Sequence, residues 1–204
     1  RQLRKHDEEL CGDNIAVSRH ADSVTLALSD GLGSGVKANI LATLTTQIAT
    51  RMLEDNLPLG EVVQTLSETL PVCAVRKVAY STFAIAQFFS HGVARVVEFD
   101  SPPLVLLRGR KVQPVSYEER RIDGKTIHEA VLELQDGDWV VFLSDGVLNA
   151  GIGGVYPMGW GWEQAAQFLE KGAHRELSAE DLAGKVAEAV AGLYADHPGD
   201  DVSI

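Results

Sequence analysis

Two segments of this sequence echo each other: Leu26-Ala27-Leu28-Ser29-Asp30-Gly31 and Val141-Phe142-Leu143-Ser144-Asp145-Gly146. In each, an apolar run ends in Ser-Asp-Gly. A strand fixes an aspartate rigidly at a sheet end, and the glycine lets the backbone turn where a Cβ would clash. Two further acidic strand ends are Gly12-Asp13, ahead of a strand expected at 14–18, and Gly199-Asp200-Asp201, ahead of Val202-Ser203. Singly, each reads as an ordinary turn. Together, Asp13, Asp30, Asp145 and Asp200 put four aspartates at strand termini, where bare carboxylates repel and cations offset the repulsion. A hard cation takes several oxygens at about 2.0–2.6 Å, which rewards rigid placement.

The elements that must position these acids are legible as patterns. Residues 23–29 alternate, with Val24, Leu26 and Leu28 on one face, and predict a half-buried strand. Over 35–55, Leu41, Leu44, Ile48 and Met52 share a helical stripe, and Pro58 opens a second helix with Val62, Leu66 and Leu70, closed before Pro71. These helices are expected to form a hairpin on one surface of a sheet. Strand patterns follow at 80–89 and 92–99, at 103–107 and 110–115 around Arg108-Gly109, and at 128–134 and 139–144 around Asp136-Gly137-Asp138. Strands this close in sequence pair antiparallel. Helices return at 162–171 and 179–195, the latter with Ser178 and Asp181 at capping-box spacing and a Leu182, Val186, Val190, Leu193 stripe. Because 139–144 is apolar on both alternations, one sheet is expected to be buried on both faces. The order predicts an α+β fold: two antiparallel β-sheets in a sandwich flanked by helices on both sides, a four-layer αββα arrangement.

Composition bounds the function. The 204 residues are 45% hydrophobic and 23% charged, ordinary for one globular domain. A net charge of −11 argues against nucleic acid, whose backbone calls for a basic face. No apolar run reaches the roughly 18–20 residues of a membrane span. Cys11 and Cys73 form no metal or redox motif, which suits a reducing, cytoplasmic setting. No histidine spacing suggests zinc, and no serine is identifiably paired with a histidine base. The Trp160-Gly161-Trp162 stretch, with the glycines at 151–154, reads either as a flap on substrate or as a loop anchoring a helix. The chain begins at Arg1 and stops within a strand pattern, so both ends are expected to be trimmed around a single domain.

Asp30-Gly31-Leu32-Gly33-Ser34-Gly35, then Ser144-Asp145-Gly146, then Gly199-Asp200-Asp201-Val202-Ser203, in this order, resemble the metal-dependent type 2C (PPM) serine/threonine protein phosphatases. More narrowly they resemble the bacterial SpoIIE/RsbX-like branch, which dephosphorylates STAS-domain regulators. Tyr80-Ser81-Thr82-Phe83 is similar to a strand motif of that branch. The resemblance implies two Mn²⁺ or Mg²⁺ ions, with Asp30 bridging both and the Gly31 carbonyl offered to one. Asp13, Asp145 and Asp200 would complete the other, with Asp201 the alternative to Asp200. Asp30 and Asp145 are then the residues on which catalysis rests. Such ions activate water for attack on phosphorus and neutralise phosphoryl charge, so no nucleophilic side chain is needed.

The implied substrate is phosphoserine or phosphothreonine on a regulatory protein of the STAS-domain type, stressosome or anti-anti-sigma, with no nucleic-acid or membrane partner. The sequence departs from the animal enzymes at two places, where Leu32 replaces a histidine and Glu8 a phosphate-contacting arginine, and Asn149 stands where some relatives have an aspartate for an additional ion. Two rivals stand beside this reading. One is a non-catalytic relative that binds phosphoprotein. The other is a nucleotide-binding module using the glycines at 31–35, which would call for a parallel βαβ unit and a third glycine where Val36 stands.

Overall fold

The alternating segments do become antiparallel strands, and the intervening periodic ones become helices. The computed structural model describes residues 1–69, 81–122 and 124–204, so Leu70, Pro71, Cys73 and Tyr80 lie outside the described residues. The elements run β1 (Gln2–Leu3), β2 (Asp13–Arg19), β3 (Ser23–Gly31), α1 (Gly35–Glu54), α2 (Leu59–Thr69), β4 (Ser81–Phe89) and β5 (Val93–Phe99). They continue with β6 (Val105–Arg108), β7 (Lys111–Gln113), β8 (Glu118–Ile122), β9 (Lys125–Glu133) and β10 (Trp139–Val141). Last come α3 (Asp145–Leu148), α4 (Gly161–Gly172), α5 (Ala179–Leu193) and β11 (Val202–Ser203). The expected α+β class with antiparallel sheets is therefore what the chain forms. Among the described residues, no helix is long and apolar enough to cross a membrane.

The chain divides into two compact units, one made of Gly12–Ser101 and Val115–Leu134, the other of Arg1–Cys11, Pro102–Pro114 and Gln135–Ile204. The first holds a six-stranded sheet in the order β2-β3-β4-β5-β9-β8. Helices α1 and α2 cover one face, where Ala49, Leu53, Val62, Val63 and Leu66 meet Ala27, Phe83, Ile85, Val97 and Ile127. Pro58 does start α2, its carbonyl accepting the N–H groups of Glu61 and Val62.

Two expectations are corrected here. The buried stripe of α1 is Ala38, Ala42, Thr45, Thr46, Ala49, Thr50 and Leu53, while Leu44 is 52% exposed. Strand β3 is not half-buried either: Thr25, Ala27 and Ser29, its smaller alternate residues, are each 1% exposed. Both differences have one cause. The helix comes so close to β3 that only small side chains fit between them, so size rather than hydrophobicity decides which face is inward.

The second unit carries β10-β6-β7 and the β1-β11 pair. Its core gathers Val105, Leu107, Leu143, Trp160, Leu169, Leu182, Val186, Val190 and Val202. Ser178 caps α5 by accepting the Asp181 N–H at 3.0 Å, and its hydroxyl donates to the Asp181 carboxylate at 2.6 Å. The strands on either side of the Asp136-Gly137-Asp138 turn do not pair, contrary to the sequence expectation. β9 pairs with β5 and β8, whereas β10 pairs with β6. The Arg108 guanidinium donates from Nε and Nη2 to Asp138, at 3.0 and 2.7 Å, and ties the start of β10 to the end of β6. The apolar run at 139–144 leaves the ladder after Val141, although Phe142, Leu143 and Ser144 stay buried. Trp162 donates its indole N–H to the Pro103 carbonyl at 2.8 Å, so it anchors the start of α4.

Candidate metal centre

In the six-stranded unit, β2 and β3 pair with Asp13 directly opposite Asp30, so the two carboxylates belong to one face of one strand pair. Asp13 is buried and Asp30 half-buried. The Gly31 N–H closes this end by donating to the Gly12 carbonyl at 3.2 Å. Gly31 has no room for a side chain: a Cβ there would sit 2.0 Å from the Ala38 carbonyl oxygen of α1. Behind the pair, Ser29 and Ser81 share a buried hydroxyl–hydroxyl hydrogen bond. Ser29 Oγ lies 2.6 Å from the Thr82 carbonyl and Ser81 Oγ 3.0 Å from that of Asp30, which fixes the β3–β4 register at the acid.

The second Asp-Gly is built the same way in the other unit. Ser144 precedes α3 in extended conformation and Asp145 is its first residue. A Cβ on Gly146 would lie 2.0 Å from the carbonyl oxygen of Asp201. The Ser144 N–H donates to the Ser203 carbonyl at 3.0 Å, and the Ser203 N–H returns to Ser144 Oγ at 2.9 Å. Both turns thus press a glycine against a backbone carbonyl. Neither glycine is among those with positive φ, so close approach, not turn conformation, is what demands glycine here.

Electrostatics link Asp145 to the C-terminal acids. Lost hydration, then the charge of Asp200, then that of Asp201, hold the Asp145 carboxyl above the ordinary aspartate range. Asp200 is raised too, chiefly by desolvation and partly by Asp201, against an opposing pull from Lys5. Asp201 is buried, and its Oδ1 accepts the Lys5 N–H at 2.9 Å. The structure thus brings together Asp13 with Asp30, and Asp145 with Asp200 and Asp201. Among the described residues, no three acidic, histidine or cysteine side chains converge as a finished ion cage. Magnesium does not call for one, since it keeps several waters and binds through one or two carboxylates. The donors present are all oxygens, which suits Mg²⁺ or Mn²⁺ rather than a thiophilic metal.

Sequence reasoning missed Tyr194, whose hydroxyl donates to the Gly146 carbonyl at 2.9 Å. A contact spanning 48 positions leaves no local signal. The nucleotide-binding alternative loses its context: β3 has antiparallel neighbours on both sides, β2 and β4, at the strand leading into the glycine loop.

This fold is found in solved phosphatase domains. A structure of the PP2C phosphatase domain with a fragment of the regulatory domain of SpoIIE from Bacillus subtilis superposes with a TM-score of 0.79 at 18% identity, over 99% of this chain and 58% of that one. RsbX in complex with magnesium gives 0.69 at 16%, over 99% and 89%. A structure described as the bacterial stressosome, a modular system adapted to control secondary messenger signaling, gives 0.63 at 21%, over 99% and 93%. No curated protein matches in sequence. The fold is that of PP2C-type phosphatase domains. The SpoIIE family, described as Stage II sporulation protein E, matches residues 20–204, and the chain belongs to it.

Proposed function

We propose that this chain hydrolyses phosphoserine or phosphothreonine on a phosphorylated regulatory protein of the STAS-domain type, in the cytoplasm. Two Mn²⁺ or Mg²⁺ ions would be held by Asp13, Asp30, the Gly31 carbonyl, Asp145 and Asp200. The observation that carries this is the twinned construction of the two Asp-Gly turns, each locked by a carbonyl where a side chain would otherwise stand. When bound, such ions activate water and neutralise charge on the transferring phosphoryl group. The residues of the chain hold the carboxylates in place so that this charge is met without reorganisation. Each of the two acids accepts one backbone N–H, but Asp201 is 4% exposed and Asp200 half-buried, which supports Asp200 as the acid that faces an ion. The stressosome and magnesium-bound RsbX neighbours support the substrate class and the ion class.

The test is hydrolysis of p-nitrophenyl phosphate with and without Mn²⁺, followed by incubation with phosphorylated STAS proteins scored by mass spectrometry. Turnover should require the ion and vanish in Asp30→Ala. Full activity after chelation, or a trapped phosphoenzyme, would overturn the reading. Binding of phosphoprotein without turnover would leave the non-catalytic relative in its place.

A further inference from the structure

Helix α5 ends at Leu193 with Tyr194 as its C-cap, and the chain then reverses through Ala195 and Asp196, both in the left-handed region at φ 49° and 63°. The Asp196 N–H donates back to the Ala191 carbonyl at 2.9 Å and the His197 N–H to the Tyr194 carbonyl at 3.0 Å, which makes the reversal rigid. The tyrosine side chain points across this reversal and touches two segments at once. Its hydroxyl holds the Gly146 carbonyl at 2.9 Å, one residue after Asp145. Its ring edge lies against Gly199, one residue before Asp200, where a Cβ would come 3.4 Å from Cε1. Gly146 is therefore gripped from two directions, by the Asp201 backbone and by the phenol.

We infer that Tyr194 is a positioning residue: it braces the Asp145-Gly146 turn against the Gly199-Asp200 turn and so sets how tightly this end of the site binds a divalent cation. This rests on the metal reading above. Burial, then the charges of Asp200 and Asp145, push the phenol up to about 12, so at neutral pH it stays protonated and keeps donating. Phenylalanine would fill the same space and pack on Gly199 equally well. Only the hydrogen bond requires tyrosine, and that bond can act only through the placement of the turn. Groups that orient metal ligands in this way characteristically change affinity by about 10–100-fold when removed.

The experiment is Tyr194→Phe in the whole chain, with Mn²⁺ as the probe. Calorimetric titration should show Mn²⁺ binding weakened by about tenfold or more, with the metal-free melting temperature close to wild type. The Mn²⁺ concentration for half-maximal p-nitrophenyl phosphate hydrolysis should rise by the same factor, while excess Mn²⁺ restores the rate to within about twofold. Tyr194→Leu, which also loses the ring, should bind more weakly still. If Tyr194→Phe binds Mn²⁺ within about twofold of wild type, the brace is disproved and the metal reading stands. If wild type itself binds no Mn²⁺, both fall. A Tyr194→Phe protein that does not fold would also overturn the inference, because the hydroxyl would then serve the fold alone.

Discussion

At Gly31 and Gly146 a methyl group would have to occupy space already held by a backbone carbonyl, 2.0 Å away in each case. Backbone cannot swing aside as a flexible side chain can, so alanine at either position should cost at least about 1–3 kcal/mol, the usual range for overpacking. Gly184, inside α5, meets nothing within 4 Å, and alanine there should instead stabilise by about 0.5–1 kcal/mol through helix propensity. Urea unfolding of the three variants checks both signs. Equal effects at all three positions would mean that the close approaches are not constraints. The sequence made both Asp-Gly pairs visible, but its reason for the glycine was a turn. The real reason, a carbonyl from Ala38 in one case and from Asp201 in the other, depends on which segment packs there, and spacing along the chain does not carry that. The Ser29–Ser81 hydroxyl pair was hidden for the same reason, because a serine ahead of an Asp-Gly reads as turn chemistry until its partner strand is known.

Periodicity located the long elements well. Helices α1, α2, α4 and α5 and strands β2 to β5 lie where the patterns put them, because each is long enough for a face to repeat. The failures were short or charged. β8 contains Glu118-Glu119-Arg120-Arg121 and has no apolar alternation, as suits an edge strand that must discourage further pairing. α3 has four residues and β1 two, too few for any period, whereas β11 is the strand start read at Val202-Ser203. β10 was assigned the wrong partner because the Arg108–Asp138 clamp, not turn proximity, decides its neighbour. Arg108 is the main cause holding the Asp138 carboxyl below the usual carboxylate range, helped by the Gln135 N–H. Asp138 has a side chain only 3% exposed, so Arg108→Met should leave a buried charge poorly met and cost about 1–3 kcal/mol at neutral pH. A carboxyl depressed in the folded state contributes stability above its unfolded value, near pH 3.9, and loses it as pH falls through the folded one. The difference between wild type and Arg108→Met should therefore shrink as the pH is lowered below about 4. A difference that stays constant down to pH 2 would assign the loss to the packing of the arginine stem instead.

In the proposed function Asp30 and Asp145, far apart along the chain, both serve the bound ions. That has a consequence for the stability of the molecule as a whole. Wild type should gain RT ln(1 + [Mn²⁺]/Kd), about 2.7 kcal/mol at a hundredfold excess over Kd. Asp30→Asn and Asp145→Asn should each lose most of that gain, because each removes a proposed ligand. In chelator the two effects separate. A carboxyl raised in the folded state, as Asp145 is, favours folding below its unfolded value, and that advantage is lost as pH rises through the folded one. At neutral pH the charged Asp145 therefore burdens the metal-free fold, and asparagine removes the burden. Asp145→Asn should melt at the same temperature as wild type or higher without metal, and lower with it. This crossing of the two melting curves distinguishes a ligand from a turn residue, whose replacement would shift both curves alike. If Asp145→Asn loses the Mn²⁺ response while Asp30→Asn keeps all of it, the ions are held by the C-terminal acids alone, and the assignment of Asp30 as the bridging ligand fails.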